Sequence, residues 1–144
     1  MLEDFLADKD FIKLMQGHCA EVIKALMASN TEFSIVAKTD FVEFDPPLPE
    51  DLSVHKNPYA LFALAGYTFE SLRLEDEKIC FHAGFGVDDF ATFVSVDLGA
   101  ITQIAIERDI IFVNFSDYQR QDELTQKSMK LFLNNPKNKG SFKK

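Results

Sequence analysis

The side chains able to do chemistry in this chain are few and spread out. Cys80 and His82 stand two apart in an alternating stretch, which would aim both at one side of a strand. A zinc site needs three or four ligands, and nothing near this pair supplies the rest. Ser95 and Asp97 would share a strand face, yet a nucleophile needs a base within hydrogen-bond reach and the pattern around them offers none. Phe85-Gly86-Val87-Asp88 lacks the spaced glycines of a phosphate cradle and runs into acids that would repel phosphate. Glu43, Asp45, Glu50 and Asp51 make an acidic stretch without the glycine-punctuated ligand spacing of a calcium loop. The expectation is therefore a protein that is not an enzyme, with no catalytic residue, no metal and no cofactor. His18 reads as a hydrogen-bonded core or interface histidine. Gly66, Gly84 and Gly86 fall within or at the ends of strands, where a missing side chain either admits another backbone or marks a bulge that curls the sheet.

The elements that would position these residues lie mainly in 68–115. Leu72 and Leu74 share one side of a first strand against Ser71 and Arg73. After Glu75, Asp76 and Glu77 turn the chain, Ile79, Phe81, Ala83 and Phe85 alternate with Lys78, Cys80, His82 and Gly84. Phe90, Val94, Val96 and Leu98 share a parity in the next strand. A last pair, about 102–106 and 110–115, flanks Glu107, Arg108 and Asp109. Strict alternation is the mark of a half-buried strand, and short strands at even spacing predict a curled antiparallel meander, a small barrel. Upstream, Phe33, Ile35 and Ala37 alternate with Ser34, Val36 and Lys38, and 41–44 forms a further short strand. Pro46, Pro47 and Pro49 force an extended connection, and 59–65, apolar on both parities, reads as a strand covered on both faces.

A helix is predicted over about 9–29, stopped at Asn30, with a shorter turn of helix at 3–7. On a helical wheel Phe11, Ile12, Leu14, Met15, Cys19, Val22, Ile23, Leu26 and Met27 cover an arc of roughly 220°, wider than one core-facing stripe. Either the helix is sunk deeply in its own domain, or it serves its own barrel and a copy of itself across a two-fold axis. The second reading is the expectation, with Met15, Cys19, Val22 and Leu26 at the dimer interface. Beyond Phe115, Ser116 with Gln119 suggests a capping box and Pro136 a helix end. A basic tail with Lys137, Lys139, Lys143 and Lys144 follows. This gives residues 1–116 as one domain, with a marginal helix and flexible tail over 117–144.

Composition narrows the partners. The 144 residues suit one domain, and fifteen Phe without a Trp give a largely aromatic core. A net charge of -8 weighs against nucleic acid, whose phosphates need clustered Lys and Arg. The longest nearly apolar run, 59–67, is about half of the ~20 residues of a membrane span. Two cysteines make no disulfide framework, and no basic segment followed by an apolar one opens the chain, so a cytoplasmic location is expected.

The order of these elements resembles the stringent starvation protein B (SspB) family of bacterial proteolytic adaptors. The resemblance rests on Leu72-Arg73-Leu74, the acidic turn Glu75-Asp76-Glu77 and Lys78-Ile79-Cys80-Phe81-His82-Ala83-Gly84-Phe85-Gly86. These are similar to that family's strand, turn and strand ending in a Phe-Asn-Ala-Arg-Phe-Gly type of motif. Val94-Ser95-Val96 followed by Leu98, Ala100 and Ile104 to Ile106 extends the likeness, which covers about 11–115. It implies an α+β fold, an N-terminal helix packed on a small, partly open antiparallel β-barrel of SH3- or Sm-like topology. The implied function is a non-catalytic homodimeric adaptor that holds an ssrA-type tag, or another degron, in an extended form and delivers it to the ClpXP protease. The tail would dock on the ClpX unfoldase. By position the peptide groove would involve Thr68, Phe69, Phe81, His82, Ala83, Gly84 and Phe85. The family carries an Arg where this chain has Gly84, which removes a cation suited to an acidic tag. The competing expectation is a small acidic dimeric chaperone of the type III secretion kind, binding an unfolded segment of a partner.

Overall fold

A computed structural model of the chain describes residues 1–119. The expected C-terminal helix and basic tail lie outside the described residues from position 120 onward. The chain opens with a short helix, α1 (Leu2–Leu6), and a long one, α2 (Lys9–Ala28). Asp8 starts α2 by accepting hydrogen bonds from the Asp10 and Phe11 N–H groups at 3.0 and 3.2 Å, filling two of the donors that a helix start leaves open. Its end is equally explicit. Asn30 takes a left-handed φ of 57°, and the Asn30 and Thr31 N–H groups donate back to the Met27 and Leu26 carbonyls. This is the Schellman arrangement, and it turns the chain sharply into the first strand.

Eight strands follow among the described residues: β1 (Phe33–Lys38), β2 (Val42–Asp45), β3 (Tyr59–Leu64), β4 (Arg73–Glu75), β5 (Lys78–Phe85), β6 (Phe90–Asp97), β7 (Ile101–Ile106) and β8 (Asp109–Val113). A single helical turn, α3 (Tyr67–Glu70), sits between β3 and β4. The strands form two four-stranded antiparallel sheets, ordered β3-β1-β7-β8 and β2-β6-β5-β4. The fold is thus α+β as expected, but the strands divide between two sheets, and neither closes into a barrel. Two tight turns, Thr39–Phe41 and Leu98–Ala100, carry the chain from one sheet to the other. Phe33, Ile35 and Ala37 of β1 share a core with Ile79 and Phe81 of β5 and with Val94 and Val96 of β6. Cys19, Ile23 and Leu26 of α2 belong to the same core.

Three sequence expectations are corrected. Residues 68–74 were expected as one strand, but Gly66 adopts φ 58° and starts α3, so only Arg73–Glu75 is extended. Strand propensity in Thr68 and Phe69 yields here to a backbone turn that glycine alone adopts cheaply. β3 is not covered on both faces. It is an edge strand whose Ala60, Phe62 and Leu64 are buried while Tyr59, Leu61 and Ala63 stay exposed, Leu61 at 67%. Ser116 does not cap a helix. Its Oγ donates to the Asn114 side-chain oxygen at 2.6 Å, and the Asn114 amide donates in turn to the Gly99 and Ile101 carbonyls at 3.0 and 3.2 Å. That buried knot fastens the chain after β8 to the turn between β6 and β7. No helix among the described residues is long and apolar enough to cross a membrane.

Candidate functional site

β5 gives the molecule its most distinctive surface. The hairpin from β4 to β5 turns through Asp76 and Glu77, at φ 48° and 65°, and pairs Glu75 with Lys78, Leu74 with Ile79 and Arg73 with Cys80. Residues flanking a two-residue turn of this kind form a hydrogen-bonded pair, and such pairs alternate along antiparallel strands. Lys78, Cys80, His82 and Gly84 therefore turn their main-chain groups toward the β4 side, and the odd-numbered residues turn theirs toward β6. The Leu98 N–H donating to the Glu77 carbonyl at 3.0 Å fits this parity. β4 ends opposite Cys80. Beyond it the His82 N–H finds the Ser71 Oγ at 2.9 Å, and no strand among the described residues pairs with the edge from His82 to Gly84.

That open edge borders a cleft of about 600 Å³. Cross-strand register builds it. Asp45, Phe93 and His82 stand in one row across β2, β6 and β5, and Ala91 and Gly84 make the next row on the same face. The small pair leaves a depression that the larger row walls. The His82 ring lies 5.1 Å from Phe93 and 6.4 Å from Tyr67, so three rings stand along one side. Thr68 and Ala65 line the β3–α3 side, Pro46 the β2 side, and Asp89 folds back from the β5–β6 turn over Gly84. A β-carbon at 84 would overlap the Asp89 carboxylate, so glycine is what lets that acid lie against the sheet. Thr92 is buried beneath and donates its hydroxyl to the Pro46 carbonyl at 2.7 Å, tying β6 to the proline stretch.

Of the seven residues expected in a groove, Thr68, His82, Ala83 and Gly84 line this cleft. Phe81 does not: it is fully buried and meets Phe62 at 5.6 Å inside the core. Phe69 packs against Phe33, and Phe85 against Phe44 and Phe62, both half-buried and turned inward. Sequence reading missed Asp45, Tyr67, Asp89, Ala91 and Phe93. The alternation of β6 contained the signal for Ala91 and Phe93, since both oppose the buried parity of Val94 and Val96.

Of the four residues expected at a dimer interface, Cys19 and Leu26 are buried in the protomer's own core, and Met15 and Val22 pack against it while remaining partly exposed. Burial pushes the Cys19 thiol up to about 12. His18 is exposed rather than in the core, its ring edge-on to Phe112 of β8 at 5.1 Å. Cys80 is buried with its Sγ 3.6 Å from the Ser95 Oγ, and Asp97 is buried, accepting a 2.9 Å hydrogen bond from the Tyr118 hydroxyl. Among the described residues no three His, Cys, Asp or Glu side chains gather as a metal site would require. No protein-family model matches the chain, and a search of curated proteins returns no significant match.

Proposed function

We propose that the protein is a non-catalytic peptide-binding adaptor that holds an extended segment of another polypeptide along the free edge of β5. The observation carrying this reading is the edge itself. Among the described residues no strand neighbours the edge from His82 to Gly84; the His82 N–H bonds the Ser71 hydroxyl, and the remaining outward main-chain groups face an open cleft. An extended peptide added there would gain main-chain hydrogen bonds as a further strand, with side-chain selectivity coming from the cleft. The resemblance to the SspB family supports the same conclusion and supplies the biological setting: delivery of degron-bearing polypeptides to ClpXP, with the C-terminal tail docking on ClpX. Such an adaptor raises the effective concentration of its client at the protease and performs no reaction itself.

Titrating the full chain into a fluorescently labelled ssrA-type peptide tests this. A saturable rise in anisotropy in the micromolar range is expected. His82→Pro, which removes the His82 N–H bonded to Ser71 and disturbs the open edge, should abolish the rise if circular dichroism shows the sheet retained. Absence of saturable binding up to high micromolar concentration would remove the ssrA assignment.

A further inference from the structure

We infer that the cleft selects an extended peptide bearing a basic side chain, Lys or Arg, held against Asp45 and Asp89. This rests on the peptide-binding reading above and specifies its ligand. Both acids line the cleft, from β2 and from the β5–β6 turn, and both are exposed to it. Neither takes part in an ion pair among the described residues, and no Lys or Arg lines the cleft. The cation nearest in register, Arg73, stands beside the cleft with its charge offset by Glu75. Its Nε is 2.8 Å from the Glu75 carboxylate, and its guanidinium lies over the Phe93 ring at 5.1 Å.

The walls suit the same guest. Tyr67 and His82 offer ring surface to the aliphatic stem and charged head of a long basic side chain, while Phe93 already carries the Arg73 guanidinium. Gly84 and Ala91 leave the floor low enough for that stem to cross. An acidic side chain at the same place would meet two like charges, a repulsion tempered by water and salt at this open surface. Charge complementarity therefore favours a basic guest over an acidic one, so an ssrA-type tag should bind here more weakly than a basic peptide.

A random-sequence peptide array probed with the full chain tests the inference. Retained peptides should be enriched in Lys and Arg and depleted in Asp and Glu. A selected Lys-containing peptide should lose about tenfold in affinity when that Lys becomes Glu, with the gap narrowing in high salt. The double variant Asp45→Asn with Asp89→Asn should erase the enrichment. The double variant Asp4→Asn with Glu107→Gln, which changes net charge equally outside the cleft, should keep it. Retained peptides with no basic bias, or a bias equally sensitive to both double variants, would overturn the basic-guest inference and leave the adaptor reading standing. An array that retains no peptide would overturn both.

Discussion

Single residues decide how this surface is shaped. Gly84 leaves room for the Asp89 carboxylate, which a β-carbon there would push aside. The sequence left Gly84 as either a place of close backbone approach or a bulge; the group that approaches is a side chain folding back across a turn, which no periodicity announces. Phe81 shows the opposite case. Alternation alone put Ile79, Phe81, Ala83 and Phe85 on one side, and burial of Ile79 and Phe81 agrees with that parity. Phe81 entered the expected groove only through the family likeness. Asn114 invites the clearest test at this scale. Its amide donates two hydrogen bonds and its oxygen accepts from the Ser116 N–H and hydroxyl, all in a buried setting. Asn114→Ala should lower stability by about 2–4 kcal/mol, because two carbonyls and two donors lose their partner away from water. Urea unfolding should show a lower midpoint at unchanged slope.

At the scale of elements, α2 was the most legible and the most misjudged. Its start at Asp8 and its stop at Asn30 follow from local chemistry that the sequence displays. The width of its apolar arc does not say which part is covered. In the fold Ile12, Cys19, Ile23 and Leu26 are buried while Leu14 is 65% exposed. β3 carries the same lesson, since apolar residues on both parities are equally compatible with an edge strand that leaves one face open. The packing of α2 has a pH signature. The Cys19 thiol is raised from 9.0 to about 12 because burial disfavours the thiolate. The unfolded chain releases that proton first as pH climbs, so this contribution to stability is intact below pH 9 and is lost progressively between pH 9 and 12. Comparing urea midpoints of the wild type and Cys19→Ala across that range checks it. The wild type should fall more steeply, and equal slopes would contradict the burial.

Considered together, the described residues form two sheets with the long helix α2 packed on their shared core, and here the sequence stops short for a definite reason. Alternation identifies strands and their inner faces, but closure depends on the turns at Thr39–Phe41 and Leu98–Ala100, whose effect on sheet direction is not encoded in hydrophobic period. Dimerisation belongs to this scale. With Cys19 and Leu26 committed to the interior, a two-fold partner meeting α2 would use its outer stripe, around Leu14, Gly17 and His18. The surface at Gly17 is open, with nothing within 4 Å of where its β-carbon would stand. Light scattering at tens of micromolar is expected to give the dimer mass for the wild type and the monomer mass for Leu14→Asp. A wild-type monomer would remove the interface.

An unpaired strand margin ordinarily invites another copy of the same molecule to settle there and begin an aggregate. Here Asp45 and Asp89 stand watch over the vacant stretch, and every would-be intruder of this kind arrives with a net charge of -8. Under the basic-guest inference, the same two acids that would admit a cationic peptide would also repel a second copy of this acidic chain.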